Sequence, residues 1–344
     1  MSNTIPHKRL NWVDWAKFIL IVLVCVGHFG PSKTQLHIIC GMHMPAFFII
    51  SGYLYHRHSA QKTFLSFSIP VIFFSCVCFL LYIIESYLQT GSFDIKSNLY
   101  YRFFEEFFFR NTNNPYESER VHLYLGLWFI WGLFGCRLLA GDIKLFSFTL
   151  KYKYWTLAFL LLWLSVNSNI GFDNSLRYFK LYYAVYAYPF FLFGNILKEE
   201  KIQFSFPKWI IIIFLIIYVV VSCIFPFGMM NYGFGPNYLI FFINAILGSL
   251  VLFSVCSKFN GNKIIQVFSI GTLLILPMHK HIEFFTLPVF HRVGITPALN
   301  QDIVAWMVAF VVLLVSYFPI IKLYAYCPIL LGKIQNKNKN VFSK

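Results

Sequence analysis

Charge, and acidic charge above all, is what this chain has least of. Asp and Glu number 13 against 28 Lys and Arg in 344 residues, and the charged fraction is 12%, about half that of an ordinary soluble domain. A surface so poor in charge excludes water as its main solvent. The eight cysteines all lie in or beside apolar runs with no zinc-type pairing, and the histidines lack an i,i+4 pair with a nearby third ligand, so no metal is expected. The ten-residue alternation of a membrane β-barrel is missing too. No cleavable leader is expected, because the first apolar run is too long and more runs follow it. Neither an internal repeat nor an appended soluble domain is evident.

What the sequence has instead is apolar runs: 58% of residues are hydrophobic and mean hydropathy is +0.66. Helices of about 20 residues cross a ~30 Å hydrocarbon core, and such runs recur near 12–30, 36–55, 64–88, 121–140, 154–171, 178–197, 209–227, 237–257, 264–290 and 303–326. The expected fold is therefore all-α, a multi-pass bundle of about ten transmembrane helices. Residues 1–326 would form the membrane domain and 327–344 a short basic tail. The ninth run contains Pro277, His279, Lys280, His281 and Glu283, so a kinked or broken helix is expected there.

Cytoplasmic loops are enriched in lysine and arginine. Basic residues gather at Lys8 and Arg9, at Arg57 and Lys62, at Lys144 to Lys153, at Lys198 to Lys208, at Lys258 and Lys263, and in the tail. The loops between them are poorer, which places both chain ends in the cytoplasm and segment 89–120 outside. The net charge of +15 is spread over alternate loops, so it points to membrane orientation and anionic lipid, not to nucleic acid.

An ionisable side chain in mid-span costs ~2.5–3.5 kcal/mol on insertion scales and so marks a candidate site. Asp14, Lys17 and His28 share one stripe of the first span: at 100° per residue Lys17 and His28 differ by only about 20°, with His28 about 16 Å further along the axis. The bland alternative pairs Asp14 with Lys17 at i,i+3 and lets both reach the headgroups. The second span carries HMPAFFIISGY, His43 to Tyr53. Pro45 is expected to open that helix near His43, while Ser51 and Tyr53 bring hydroxyls to its cytoplasmic end. A Pro-kinked packing helix is the competing reading.

RLNWVDWAKFILIVLVCVGH followed by HMPAFFIISGYLY resembles the opening of the acyltransferase-3 membrane family, especially its fucose 4-O-acetylase-like branch. Looser echoes are LGLWFIWGLF with Trp128, YPFFLFGNIL, and SIGTLLILPMH with His279. The resemblance implies a ten-helix enzyme of the cell's inner membrane. It would move an acyl group, usually acetyl from acetyl-CoA, to a hydroxyl of a surface glycan or its lipid-linked precursor. One departure stands out: members usually carry arginine just before the Ile-Pro of the third span, and FLSFSIP, residues 64–70, has none. Arg57 and Lys62 lie shortly before it.

Transfer to an alcohol needs a base, and histidine titrates near neutrality. His28 is the expected base, with His43 as second choice or orienting partner and Asp14 beside them. Direct transfer and an acyl-enzyme on histidine or Ser51 both fit. Lys17, Arg57 and Lys62 are the expected holders of CoA phosphates, with Ser51 and Tyr53 nearby. Trp128 either stacks on the sugar or anchors at the interface, and His279 either joins the cavity or marks a kink. The rival from another class is a transporter or flippase of a lipid-linked sugar, which a polar, kinked interior would also serve.

Overall fold

The computed structural model describes residues 9–92, 127–167, 182–227, 234–295 and 297–333. All regular structure among them is helical. In chain order the helices are α1 (Asn11–His28), α2 (Lys33–Cys40), α3 (His43–Tyr53), α4 (Ala60–Thr90), α5 (Leu127–Arg137), α6 (Ser147–Lys151) and α7 (Lys153–Asn167). After them come α8 (Tyr182–Glu199), α9 (Lys208–Ile224), α10 (Tyr238–Cys256), α11 (Lys263–Arg292) and α12 (Pro297–Tyr326). A π turn (Leu138–Asp142) continues α5, and a 3-10 turn (Pro328–Leu331) follows α12. Most of segment 89–120 and the tail beyond residue 333 fall outside the described residues.

Helix starts follow side chains that accept the orphan amides of a first turn. Ser32 accepts from the Gln35 amide, Ser59 from Lys62, Asn237 from Leu239, and Asn262 from Ile264 and Ile265. The second expected span divides into α2 and α3 at Gly41 and Met42, not at Pro45. Pro45 stands in the first turn of α3, where the first intrahelical bond comes from the Ala46 amide to the Met42 carbonyl, at 2.8 Å. A proline there has no bond to lose, and so it opens nothing.

Five stretches among the described residues are long and apolar enough to cross a membrane: Asn11–His28, Lys33–Tyr53, Ala60–Thr90, Tyr238–Cys256 and Asn300–Tyr326. Lys208–Ile224 is a shorter apolar helix. That is fewer than the ten the sequence implies. α5 and α7 have 11 and 15 residues, and the apolar run of α11 is interrupted by His279, Lys280, His281 and Glu283.

The packing is the reverse of a soluble protein's. Trp155 is 79% exposed, Phe318 70% and Ile224 63%, whereas Asp14, Glu85, His43, His279 and His281 are buried. Such an outer surface is stable against hydrocarbon and not against water. Inside, α3 and α8 lie almost backbone to backbone. A Cβ at Gly52 would collide with the Phe191 carbonyl and one at Gly194 with the Ile49 carbonyl, so only glycine permits this crossing. α1 runs parallel to α11, joined at one end by Arg9 to the Gln266 carbonyl (3.4 Å), midway by Phe18 and Phe268, and at the other by His28 and His279.

Candidate active site

The end of α1 holds a histidine pair. The His28 and His279 rings lie 5.0 Å apart, brought together by the parallel run of α1 and α11. His279 is fully buried, with Nδ1 3.2 Å from the Ile275 carbonyl, whereas His28 is half-buried. At the same end of α1, the Lys280 ammonium donates to the main-chain carbonyl of His28 and to Glu283 Oε2 at 2.7 Å. His43 is buried with Nδ1 2.7 Å from the Ile39 carbonyl, close enough to act electrostatically on His28.

One helix-length away, at the start of α1, is a cationic cluster. Asp14 is not paired with Lys17: Arg9 takes its carboxylate with two bonds, at 2.6 and 2.9 Å. A planar guanidinium matches both oxygens, which a single ammonium cannot do. Lys17 has no hydrogen bond or ion pair among the described residues, and it lies within electrostatic range of Lys333 and Arg9 as well as Asp14. Lys333 reaches this place because the 3-10 turn before it packs on α4. A Cβ at Gly332 would stand 3.7 Å from the Ser66 carbonyl, inside the FLSFSIP stretch that lacks arginine.

Arg57 and Lys62 are exposed and lie in the stretch of chain, 55–63, that is fastened to buried Asp142. That carboxylate accepts from the Tyr55 hydroxyl (2.9 Å), the His58 amide (2.9 Å), Thr63 Oγ1 (2.5 Å) and Arg137 Nε (3.2 Å). It fastens the loop after α3, and the start of α4, to the end of α5. Burial and the bond to Asp142 push the Tyr55 phenol up.

The remaining expected residues have ordinary partners. Ser51 Oγ bonds back to the Phe47 carbonyl at 2.7 Å, and the Tyr53 ring meets Trp12 edge-on at 5.1 Å. Trp128 is buried, 5.1 Å from the Tyr183 ring.

Sequence reading passed over Glu85. It lies in α4, 2% exposed, with Oε1 2.7 Å from His281 Nδ1, and His281 Nε2 has no hydrogen-bond partner among the described residues. The signal was present: a carboxylate in an apolar run, YIIESY, is as costly as the ones singled out. Arg137 and Asp142 were passed over for another reason, since they stand at the end of a span, where charge costs little.

The architecture defines a class: a multi-pass helical membrane protein with an apolar outer surface and a buried imidazole cluster joined along one helix to a cationic end. The chain belongs to the acyltransferase-3 family, whose model, described as an acyltransferase domain, matches residues 10–324. It is a membrane acyltransferase. No curated protein and no solved structure gave a significant match.

Proposed function

We propose that the protein is an O-acetyltransferase of the fucose 4-O-acetylase-like branch. It moves acetyl from cytoplasmic acetyl-CoA to a hydroxyl of a cell-surface glycan or its lipid-linked precursor. The observation that carries this reading is the arrangement of α1: a half-buried imidazole packed on a second one at one end, and cations in excess of their single carboxylate at the other. Family membership favours acyl transfer over the transporter or flippase alternative.

With the chain ends in the cytoplasm of the inner membrane, the cationic end faces the donor. Lys17 and Lys333 hold its phosphates, and Lys333 supplies the cation missing before Ile69 and Pro70. Arg57 and Lys62 extend the basic surface outward, with Ser51 and Tyr53 on the same side. The acyl arm then runs along α1, about 16 Å by helical rise, to His28. His28 takes the proton of the attacking hydroxyl, with His279 and His43 holding the ring and Asp14 serving the cationic end through Arg9. The acceptor enters from the opposite side, where Trp128 becomes a sugar contact if the packing around Tyr183 opens.

The test is thioester consumption by protein purified in detergent, supplied with acetyl-CoA and a saccharide extract of the source cells. His28→Ala should cut transfer by about 10²–10⁴-fold, the usual worth of a general base, with unchanged abundance in the membrane. Transfer retained in this variant removes His28 from the chemistry. Sugar flux into proteoliposomes without any thioester would overturn the enzymatic reading.

A further inference from the structure

We infer that Lys280 is a further catalytic group, the one that stabilises the oxyanion of the acyl-transfer step; this rests on the reading above. Its Nζ donates to the His28 carbonyl and to Glu283 Oε2, and lies 5.6 Å from the centre of the Phe29 ring. An ammonium has three donors, and among the described residues two are occupied. The Lys280 side chain remains 30% exposed, against 14% for Glu283, so the third donor can still meet a ligand.

Both imidazoles lie within electrostatic range of the Lys280 charge, and its bond to the His28 carbonyl sets the ammonium at the end of α1 that carries the base. A lysine in mid-helix of a membrane bundle is expensive. Capping the last carbonyls of α1 accounts for one of its bonds, and Glu283 offsets part of its charge. Neither role needs a third, partly exposed donor beside two histidines.

In the step itself the acceptor oxygen bonds to the thioester carbon while its proton passes to the His28 imidazole. The carbonyl electrons move onto oxygen, and that negative charge is met by the free N–H of Lys280. Collapse restores the C=O bond and breaks C–S, and the thiolate takes the proton back from the imidazolium. The products are an ester and a thiol; Lys280 keeps all three protons throughout. A charged donor preset where charge develops acts most strongly in a site with little water.

The experiment compares wild type, Lys280→Met and Lys280→Arg in detergent, reading free thiol released from acetyl-CoA with the saccharide extract as acceptor. Lys280→Met is expected to lower kcat about 10²–10³-fold, with KM for acetyl-CoA unchanged, per molecule of folded protein; some loss of Tm is expected, because Glu283 and the His28 carbonyl lose their donor. A kcat within threefold of wild type at normal abundance overturns the inference, as does a loss seen only in KM. If the methionine variant is absent from the membrane, Lys280→Arg decides. It keeps the charge and the His28 carbonyl contact, but its planar fork cannot aim a third donor the same way, so a loss of tenfold or more is expected and full activity overturns the assignment. Absence of thiol release by the wild type would instead remove the donor reading, and this inference with it.

Discussion

Glu85 faces His281 across 2.7 Å in a part of the bundle where neither meets solvent. A buried acid and imidazole are tolerable together because each satisfies the other, and intolerable apart, since removing one leaves the other desolvated and unpaired. Glu85→Ala is therefore expected to lower stability by ~3–5 kcal/mol, read as a lower Tm in detergent. Glu85→Gln keeps the shape and a hydrogen bond, and should lose clearly less. Equal Tm for the alanine variant and wild type would show that the pair holds nothing together. The same reasoning separates legible from illegible residues: His28 and Lys280 each stand out as costly on their own, yet they are 252 positions apart, and nothing local says that one bonds the other.

At the scale of elements, the contact between α3 and α8 is set by two glycines. Residues 52 and 194 each face the other helix's carbonyls with no room for a methyl group, so Gly52→Ala and Gly194→Ala must push the backbones apart. Each should cost more than the ~1–3 kcal/mol typical of overpacking, seen as reduced abundance in the membrane and a lower Tm. Wild-type Tm in either variant would refute so close a crossing. Pro45→Ala, by contrast, should shift Tm by little, because the proline occupies a first turn that lacks an amide bond to restore. The expectation of a Pro45-opened helix failed for that reason: a proline's effect depends on its distance from the helix start, and the break at Gly41 and Met42 moved that start.

For the whole molecule, the exposed apolar side chains make lipid the solvent, and the basic loops set the orientation proposed above. That orientation has a direct consequence for labelling. In a background with the other cysteines replaced, Cys327, which is exposed, should react with a membrane-impermeant maleimide only in inverted vesicles. A Lys33→Cys variant, exposed at the opposite end of α1, should react in intact cells stripped of their outer layers. Labelling of both from the same side would reverse the assignment of the donor-facing end.

The sequence by itself determined that the chain is helical and lives in lipid, because those properties follow from composition and from the length of apolar runs, which are sums over neighbours in the chain. It also marked His28, Lys17 and His279, since an ionisable group in such a run is conspicuous wherever it ends up. Only the tertiary structure decided the partners: Arg9 and not Lys17 for Asp14, His281 for Glu85, Lys333 beside the stretch before Pro70, and Lys280 on the end of α1. Pairing depends on which helix faces meet and at what height. That is fixed by close packing between segments far apart in the chain, and no local pattern of residues encodes it.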